Sequence, residues 1–305
     1  MDPQTSVGIG TFDGVHIGHQ AILAEVRRQA DALGLSSAAY AFDSPPRWIR
    51  SGKAGRALLL PRHVKAHLLG SLVDRVVTVS LREIRDLSPE SFAKDILVDA
   101  LRARVVIIGP RFRFGHRRAG GPETLRSIGG RLGFSVVEVP AVEVDGHPVS
   151  STRIRQLLAV GDVADAGRLL GRPPLLFGRV VTGDRLGRRL GYPTANVEVD
   201  EHVLLPPHGI YLVHAFVREG RSDGLFYVGT RPTVDGHDLR CEVHLLSPPT
   251  GDLAGGAIEL HLLNRIRDDR AFGSLDELRT QIELDVEAAR RLLADHSDVS
   301  RPYGG

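Results

Sequence analysis

The chain has 305 residues, 42% hydrophobic and 25% charged, with a formal net charge of +2; this excludes a low-complexity or fibrous chain and makes two globular domains the expectation. A single cysteine, Cys241, excludes an intrachain disulfide and a cysteine-built metal cluster, and no apolar run or leader pattern marks a membrane segment, so a cytoplasmic protein without a membrane partner is expected. Apart from Lys53, Lys65 and Lys94 the basic side chains are arginines, and no basic stripe interleaves with aromatics, so nucleic acid is not an expected partner.

Residues 6–9 are short and apolar, like the end of a buried strand, and Ile22, Val26, Ala30 and Leu33 recur at helical spacing further on. Between them, residues 10–19 read Gly-Thr-Phe-Asp-Gly-Val-His-Ile-Gly-His. The element is a strand, a glycine-rich turn and a helix that opens near Gly18. Unpaired backbone N–H groups and the positive end of the helix dipole converge there, which suits a phosphate. His16 and His19 flank the junction and can meet the charge that develops on an attacked nucleotide phosphate. A tight turn with two incidental histidines is the alternative.

Strand-like residues 38–42, 75–79, 105–109 and 135–139 then alternate with helical stretches at 64–69, 92–101 and 122–132. Alternation of this kind predicts right-handed βαβ units and a doubly wound parallel sheet, with ligands beyond the carboxyl ends of the strands. Residues 149–155 read Val-Ser-Ser-Thr-Arg-Ile-Arg at the start of another helix. The hydroxyls of Ser150, Ser151 and Thr152 can cap that helix or hold phosphate oxygens, and Arg153 or Arg155 can fork onto a polyphosphate. An ordinary cap is the plainer alternative. Together, the two segments resemble the nucleotidyltransferase superfamily, which moves AMP or CMP onto a phosphate or a phosphorylated acceptor.

A helix over 163–170 runs into Gly171, Arg172, Pro173 and Pro174, the expected boundary between a domain of residues 1–171 and one of 172–295, with a tail at 296–305. Beyond it, short strands at 178–182, 209–217, 225–228, 240–246 and 257–263 predict a small antiparallel barrel. Residues 177–196 carry Gly178, Gly183, Gly187 and Gly191, which let backbone approach a phosphate chain, with Arg185, Arg188 and Arg189 nearby. Thr194 and Asn196 are hard oxygen donors suited to Mg²⁺, or else a polar turn. Glu242 alternates with Cys241 and Val243 and so faces away from them; a solvated strand glutamate is the alternative. Leu275, Leu278, Ile282, Val286, Ala289 and Leu293 form one face of a terminal amphipathic helix.

With residues 10–19, 113–115, 150–155, 191–196, 231–233, 242–246, 267–272 and 281–285 in this order, nearly the whole chain resembles the prokaryotic bifunctional riboflavin kinase and FAD synthetase family. The resemblance implies a doubly wound parallel-sheet nucleotidyltransferase domain followed by a β-barrel kinase domain with a C-terminal helix. It also implies two ATP-dependent steps, riboflavin to FMN and FMN to FAD. In the first half Gly10, Phe12, Asp13, Gly14, Gly18, Ser150, Ser151 and Thr152 would bind ATP. His16, His19 and Arg155 would serve catalysis there, while Phe42, Arg111 and Phe112 would receive the flavin. In the second half the four glycines 178, 183, 187 and 191, with Thr194 and Asn196, would bind ATP; Thr194 and Asn196 would hold Mg²⁺. Glu242 would act as the base, and Arg267 and Phe272 would close over flavin.

The chain departs from the family pattern where FMN should enter: Pro45 replaces a polar residue, Arg111 replaces Asp or Asn, and Gly121 replaces a common Asp. Ser247 and Ala254 are departures in the kinase half. The alternatives are therefore an active kinase with a weakened or acceptor-altered adenylyltransferase half, and a non-catalytic flavin-binding protein. Homo-oligomerisation is left open.

Overall fold

The computed structural model of the protein describes residues 3–43, 58–182, 191–218, 220–233, 236–247, 251 and 253–294. Its contacts divide into two compact units, Met1–Ala54 with Arg62–Ser151, and Gly55–Pro61 with Thr152–Gly305.

In the first unit, β1 (Thr5–Gly10), α1 (Ile17–Leu33), β2 (Ser36–Phe42), α2 (Arg62–Gly70), β3 (Arg75–Val79), β4 (Ala103–Ile108), α3 (Pro122–Leu132) and β5 (Ser135–Glu138) build one sheet with its helices, and β6 (Glu143–Val144) and β7 (His147–Pro148) form a separate antiparallel pair. Every strand pair in this sheet is parallel, in the order β3-β2-β1-β4-β5. The order reverses beside β1, so the turn after β1 lies at the switch point where open α/β sheets hold ligands. Val7, Ile9, Val106 and Ile108 form the core with Phe92, Leu97 and Leu125. The strands read as apolar runs because both faces of a parallel sheet are covered. Residues 92–100, expected as an ordinary helix, take the wider i→i+5 form.

In the second unit, α4 (Ser151–Val160, counted here from Thr152) and α5 (Val163–Leu170) precede β8 (Leu175–Val181), β9 (Thr194–Val199), β10 (Gly209–Val217), β11 (Gly220–Thr233), β12 (Gly236–Leu245), β13 (Ala257–Asp268) and α6 (Leu275–Leu293). The strands close an antiparallel barrel in the order β10-β11-β12-β9-β8-β13. Alternation sorts the side chains by face. Tyr211, Phe226 and Val243, paired in one row and fully buried, share one face. The other face carries Leu212, Leu225 and Leu263, which pack with Val286 and Ala289 of α6. Gly178 is demanded by strand packing, since a Cβ there would lie 2.5 Å from the Glu198 carbonyl oxygen.

One contribution to this unit was not expected from sequence. Leu58 forms a parallel bridge with Val203; its amide donates to His202 O at 2.9 Å and its carbonyl accepts from Leu204 N at 2.8 Å. Leu58, Leu59 and Leu60 are all buried.

Candidate functional site

The turn after β1 is built from residues in the left-handed region: Phe12 (φ 49°), Gly14 (φ 84°) and Val15 (φ 43°). For Phe12 and Val15 this conformation is costly, and strain of that sort collects at binding turns. The Phe12 ring explains its own persistence, because it is fully buried and meets His19 edge-on at 5.3 Å. Phe12 therefore packs the turn from inside, its carbonyl accepting from Val15 N at 3.1 Å, and Asp13, 2% exposed, is buried beside it.

His16 is the N-cap of α1, which starts at Ile17, one residue before the expected Gly18. Its Nδ1 accepts from His19 N at 3.3 Å, and the two imidazoles stack with centroids 3.5 Å apart. A nitrogen that accepts a backbone N–H carries no proton, so the neutral ring has its proton on Nε2 and presents a donor. A Cβ on Gly18 would stand 3.2 Å from the His16 ring, so glycine keeps that approach open. Ser151 closes the other side, its hydroxyl donating to the Asp13 carbonyl at 2.9 Å. The hydroxyl segment and the glycine turn, 138 residues apart in the chain, thus meet in the first unit. Thr152, Arg153 and Arg155 continue α4 from Ser151.

The residues expected to receive flavin in this half lie on separate elements. Phe42 ends β2, edge-on to Tyr40 at 5.8 Å. Phe112 is half-buried and stacks on Phe114 at 5.5 Å, while Arg111 beside it is exposed. Gly121 is the N-cap of α3, and a Cβ there would run into the Arg113 guanidinium. Pro45 lies outside the described residues.

The second site is assembled by strand register. Asn196 pairs with Glu242, Glu242 with Tyr227, Tyr227 with Ile210, and Ile210 with Arg267. Directly paired residues of antiparallel strands project to the same face. Five strands, β9, β12, β11, β10 and β13, therefore set Asn196, Glu242 and Arg267 in one row about 19 Å long at the usual strand spacing. Thr194, two residues from Asn196, shares that face and donates from Oγ1 to Glu242 Oε2 at 3.0 Å. The Thr194–Asn196 segment is strand and not turn.

Arg240 donates from Nη1 to the other carboxylate oxygen of Glu242 at 3.1 Å, so the carboxylate is held from two sides. The Tyr227 hydroxyl donates to Asp269 at 3.1 Å; burial, with Asp269 and Glu242 nearby, pushes its pKa up to about 12 and keeps it protonated. Sequence reasoning missed both. The signal for Tyr227 was hairpin symmetry: Thr233 pairs with Gly236, which leaves Tyr227 and Glu242 equally far from the turn. Among the described residues no group of three or more His, Cys, Asp or Glu could hold a metal ion. The hydroxyl of Thr194 and the amide of Asn196 fit only an ion that keeps water and substrate oxygens for most of its ligands, as Mg²⁺ does.

Arg267 has an occupant already. Its Nε lies 2.9 and 3.0 Å from the two oxygens of Asp285, and Nη2 2.9 Å from Oδ2. Gln281 adds a 2.7 Å bond to Asp285, and Arg270 donates to Gln281 at 2.6 Å. The guanidinium groups of Arg267 and Arg270 lie 5.7 and 4.9 Å from the centroid of the Phe272 ring. The flap-like segment 267–272 is thereby tied to α6. Gly191 takes φ 87° before Tyr192, whereas Gly183 and Gly187 lie outside the described residues.

The family model described as FAD synthetase matches residues 1–153, and the one described as riboflavin kinase matches residues 170–293. Proteins named bifunctional riboflavin kinase/FMN adenylyltransferase are similar over nearly the whole length. That of Pseudomonas fluorescens is 40% identical over 94% of this chain and 92% of its own. That of Haemophilus influenzae is 37% identical over 92% of both, and that of Escherichia coli K12 38% identical over 92% of this chain and 90% of its own. A crystal structure named as a macrolide-efflux protein from Streptococcus pneumoniae matches with a TM-score of 0.84 at 30% identity over 95% of each chain. In the present chain no described helix is long and apolar enough to cross a membrane.

Proposed function

The chain belongs to the bifunctional riboflavin kinase/FMN adenylyltransferase family, and from that premise we propose how its two sites divide the work. The protein phosphorylates riboflavin to FMN with ATP and adenylylates FMN to FAD with release of pyrophosphate. Residues 10–19 with Ser150 and Ser151 carry the adenylyl transfer, and the row from Asn196 to Arg267 carries the phosphoryl transfer. The observation that supports this most is the register that aligns Asn196, Glu242 and Arg267 across five strands.

In the kinase step Glu242 takes the proton of the riboflavin 5′-hydroxyl as its oxygen attacks the γ-phosphorus and ADP leaves. Thr194 and Arg240 orient the carboxylate until substrate arrives. Thr194 and Asn196 would hold Mg²⁺, which supplies charge neutralisation on the ATP phosphates when bound. In the adenylyl step an FMN phosphate oxygen attacks the α-phosphorus of ATP and pyrophosphate leaves. The FMN phosphate is already an anion, so no base is needed. The His16 Nε2–H and the His19 ring beside it would stabilise the charge gathered on the α-phosphate, at the positive end of α1. Ser150, Ser151, Thr152 and Arg155 would hold the departing phosphates.

We also propose two functional modules that join near residue 171 and work without nucleic acid or membrane in the cytoplasm. Incubation with riboflavin, ATP and Mg²⁺, followed by chromatographic separation of the flavins, tests the activity: FMN and FAD should both accumulate. FMN without FAD would mean that the adenylyltransferase half has lost or changed its acceptor, and no product would leave only flavin binding.

A further inference from the structure

Lys65 lies in α2 with 2% of its surface exposed. Its ammonium donates to the Thr11 carbonyl at 3.1 Å and to the Phe42 carbonyl at 2.6 Å. Thr11 opens the turn after β1, and Phe42 closes β2, the parallel neighbour of β1. One buried cation thus joins the carboxyl ends of two adjacent strands, one leading into the ATP turn and the other ending at an expected flavin contact. Asp13 and Asp43 surround it with negative charge, and Arg62 stands 3.9 Å from Asp43. Burial pushes the Lys65 pKa down, and the two carboxylates pull it back up.

An ammonium is an expensive way to satisfy two carbonyls. Burying one costs several kcal/mol even after relaxation, and both acceptors lie at the carboxyl ends of interior strands, where a neutral donor would satisfy them. What Lys65 provides beyond hydrogen bonds is a fixed span between the two strand ends. In-line displacement needs such a span, since a misplacement of about 1 Å can cost about 10²-fold in rate.

We propose that Lys65 is a positioning residue of adenylyl transfer, acting through the Thr11 and Phe42 carbonyls to set the distance between the ATP-binding turn and the flavin-binding edge of β2. The inference rests on the reading that residues 10–19 hold ATP.

The test uses the full-length chain with Lys65→Met, Lys65→Gln and, as control, His19→Ala. FAD synthesis is measured as kcat and as KM for ATP and FMN, riboflavin phosphorylation is measured in the same preparations, and circular dichroism reports folding. Lys65→Met should lower kcat for FAD synthesis about 10²-fold, with both KM values within about 3-fold of the parent and riboflavin phosphorylation unchanged. A folded Lys65→Met whose kcat stays within about 3-fold of the parent overturns the proposal, as does a loss that appears wholly in the KM for ATP. Failure of both lysine variants to fold overturns it too, because Lys65 is then a structural residue. If His19→Ala keeps full FAD synthesis, it is the assignment of the turn that fails.

Discussion

Glu242 sits between two donors, the Thr194 hydroxyl and the Arg240 guanidinium, and the role of base proposed for it depends on having a proton-accepting oxygen in that cradle. Glu242→Gln keeps the shape and removes the acceptor of the proton. Kinase turnover should fall about 10² to 10⁴-fold, or about 3 to 5 kcal/mol. Riboflavin binding and the conversion of supplied FMN to FAD should persist. Turnover within a few-fold of the parent would remove Glu242 from the mechanism. His19 is argued to act on charge that appears only as the α-phosphate is attacked. His19→Ala should therefore lower kcat for FAD synthesis far more than it weakens ATP binding, and steady-state kinetics with a separate ATP titration distinguish the two.

At the scale of elements, the contact between β13 and α6 includes the ion pair of Arg267 and Asp285, with the aspartate side chain 4% exposed and the arginine side chain 19%. Removing one partner of a buried pair strands the other charge, at a cost of about 3 kcal/mol when one side keeps some solvent. Arg267→Met should lower the urea midpoint of the barrel accordingly. If stability holds and only the KM for riboflavin rises, the arginine serves the flavin and not the helix. The same contact shows where sequence reading stops. The apolar face of α6 was legible from its spacing, and Ile282, Val286, Ala289 and Leu293 do pack on the barrel, whereas Leu275 is exposed. Asp285, three residues after Ile282 and four before Ala289, lies on the flank of that stripe and is buried with it. Spacing alone gives no sign that a charge can stay there, because the arginine that pairs with it comes from another element.

Across the molecule, the second unit gathers chain from both sides of the expected boundary. α5 buries Val163, Ala166, Leu169 and Leu170, and Leu262 N donates to the Pro174 carbonyl at 2.9 Å. A fragment of residues 152–294 should fold and phosphorylate riboflavin. One of 172–294 should be less stable by at least about 3 kcal/mol, since each buried aliphatic side chain contributes about 1.5 to 3. Equal denaturation midpoints for the two fragments would mean that α5 contributes nothing to the kinase module. The barrel should also respond to acid. His214 is 1% exposed and bonded to Asp223 at 2.6 Å; burial pushes its pKa below the ordinary value, although Asp223 opposes the shift and His261 and Arg221 reinforce it. The unfolded chain then binds a proton that the folded barrel resists. Stability should be full above the unfolded value of about 6.5 and should fall as pH drops from there toward the depressed folded value. His214→Gln should abolish that part of the pH dependence of the unfolding midpoint, and an unchanged profile would refute the assignment.

The sequence by itself determined the alternation of apolar segments that makes the parallel sheet, the short strands of the barrel, the glycine turn and the amphipathic terminal helix. Hydrophobic spacing and turn residues act over a few positions, so one stretch of chain carries the whole signal. Tertiary structure alone decided that Asn196, Glu242, Tyr227 and Arg267 stand in one row, that Ser151 meets Asp13, that Leu58 pairs with Val203 in the second unit and that Lys65 ties two strand ends together. The row depends on which residue of one strand lies opposite which residue of another, and a slip of one strand by a single residue would turn its member of the row to the opposite face; the other contacts join segments far apart in the chain.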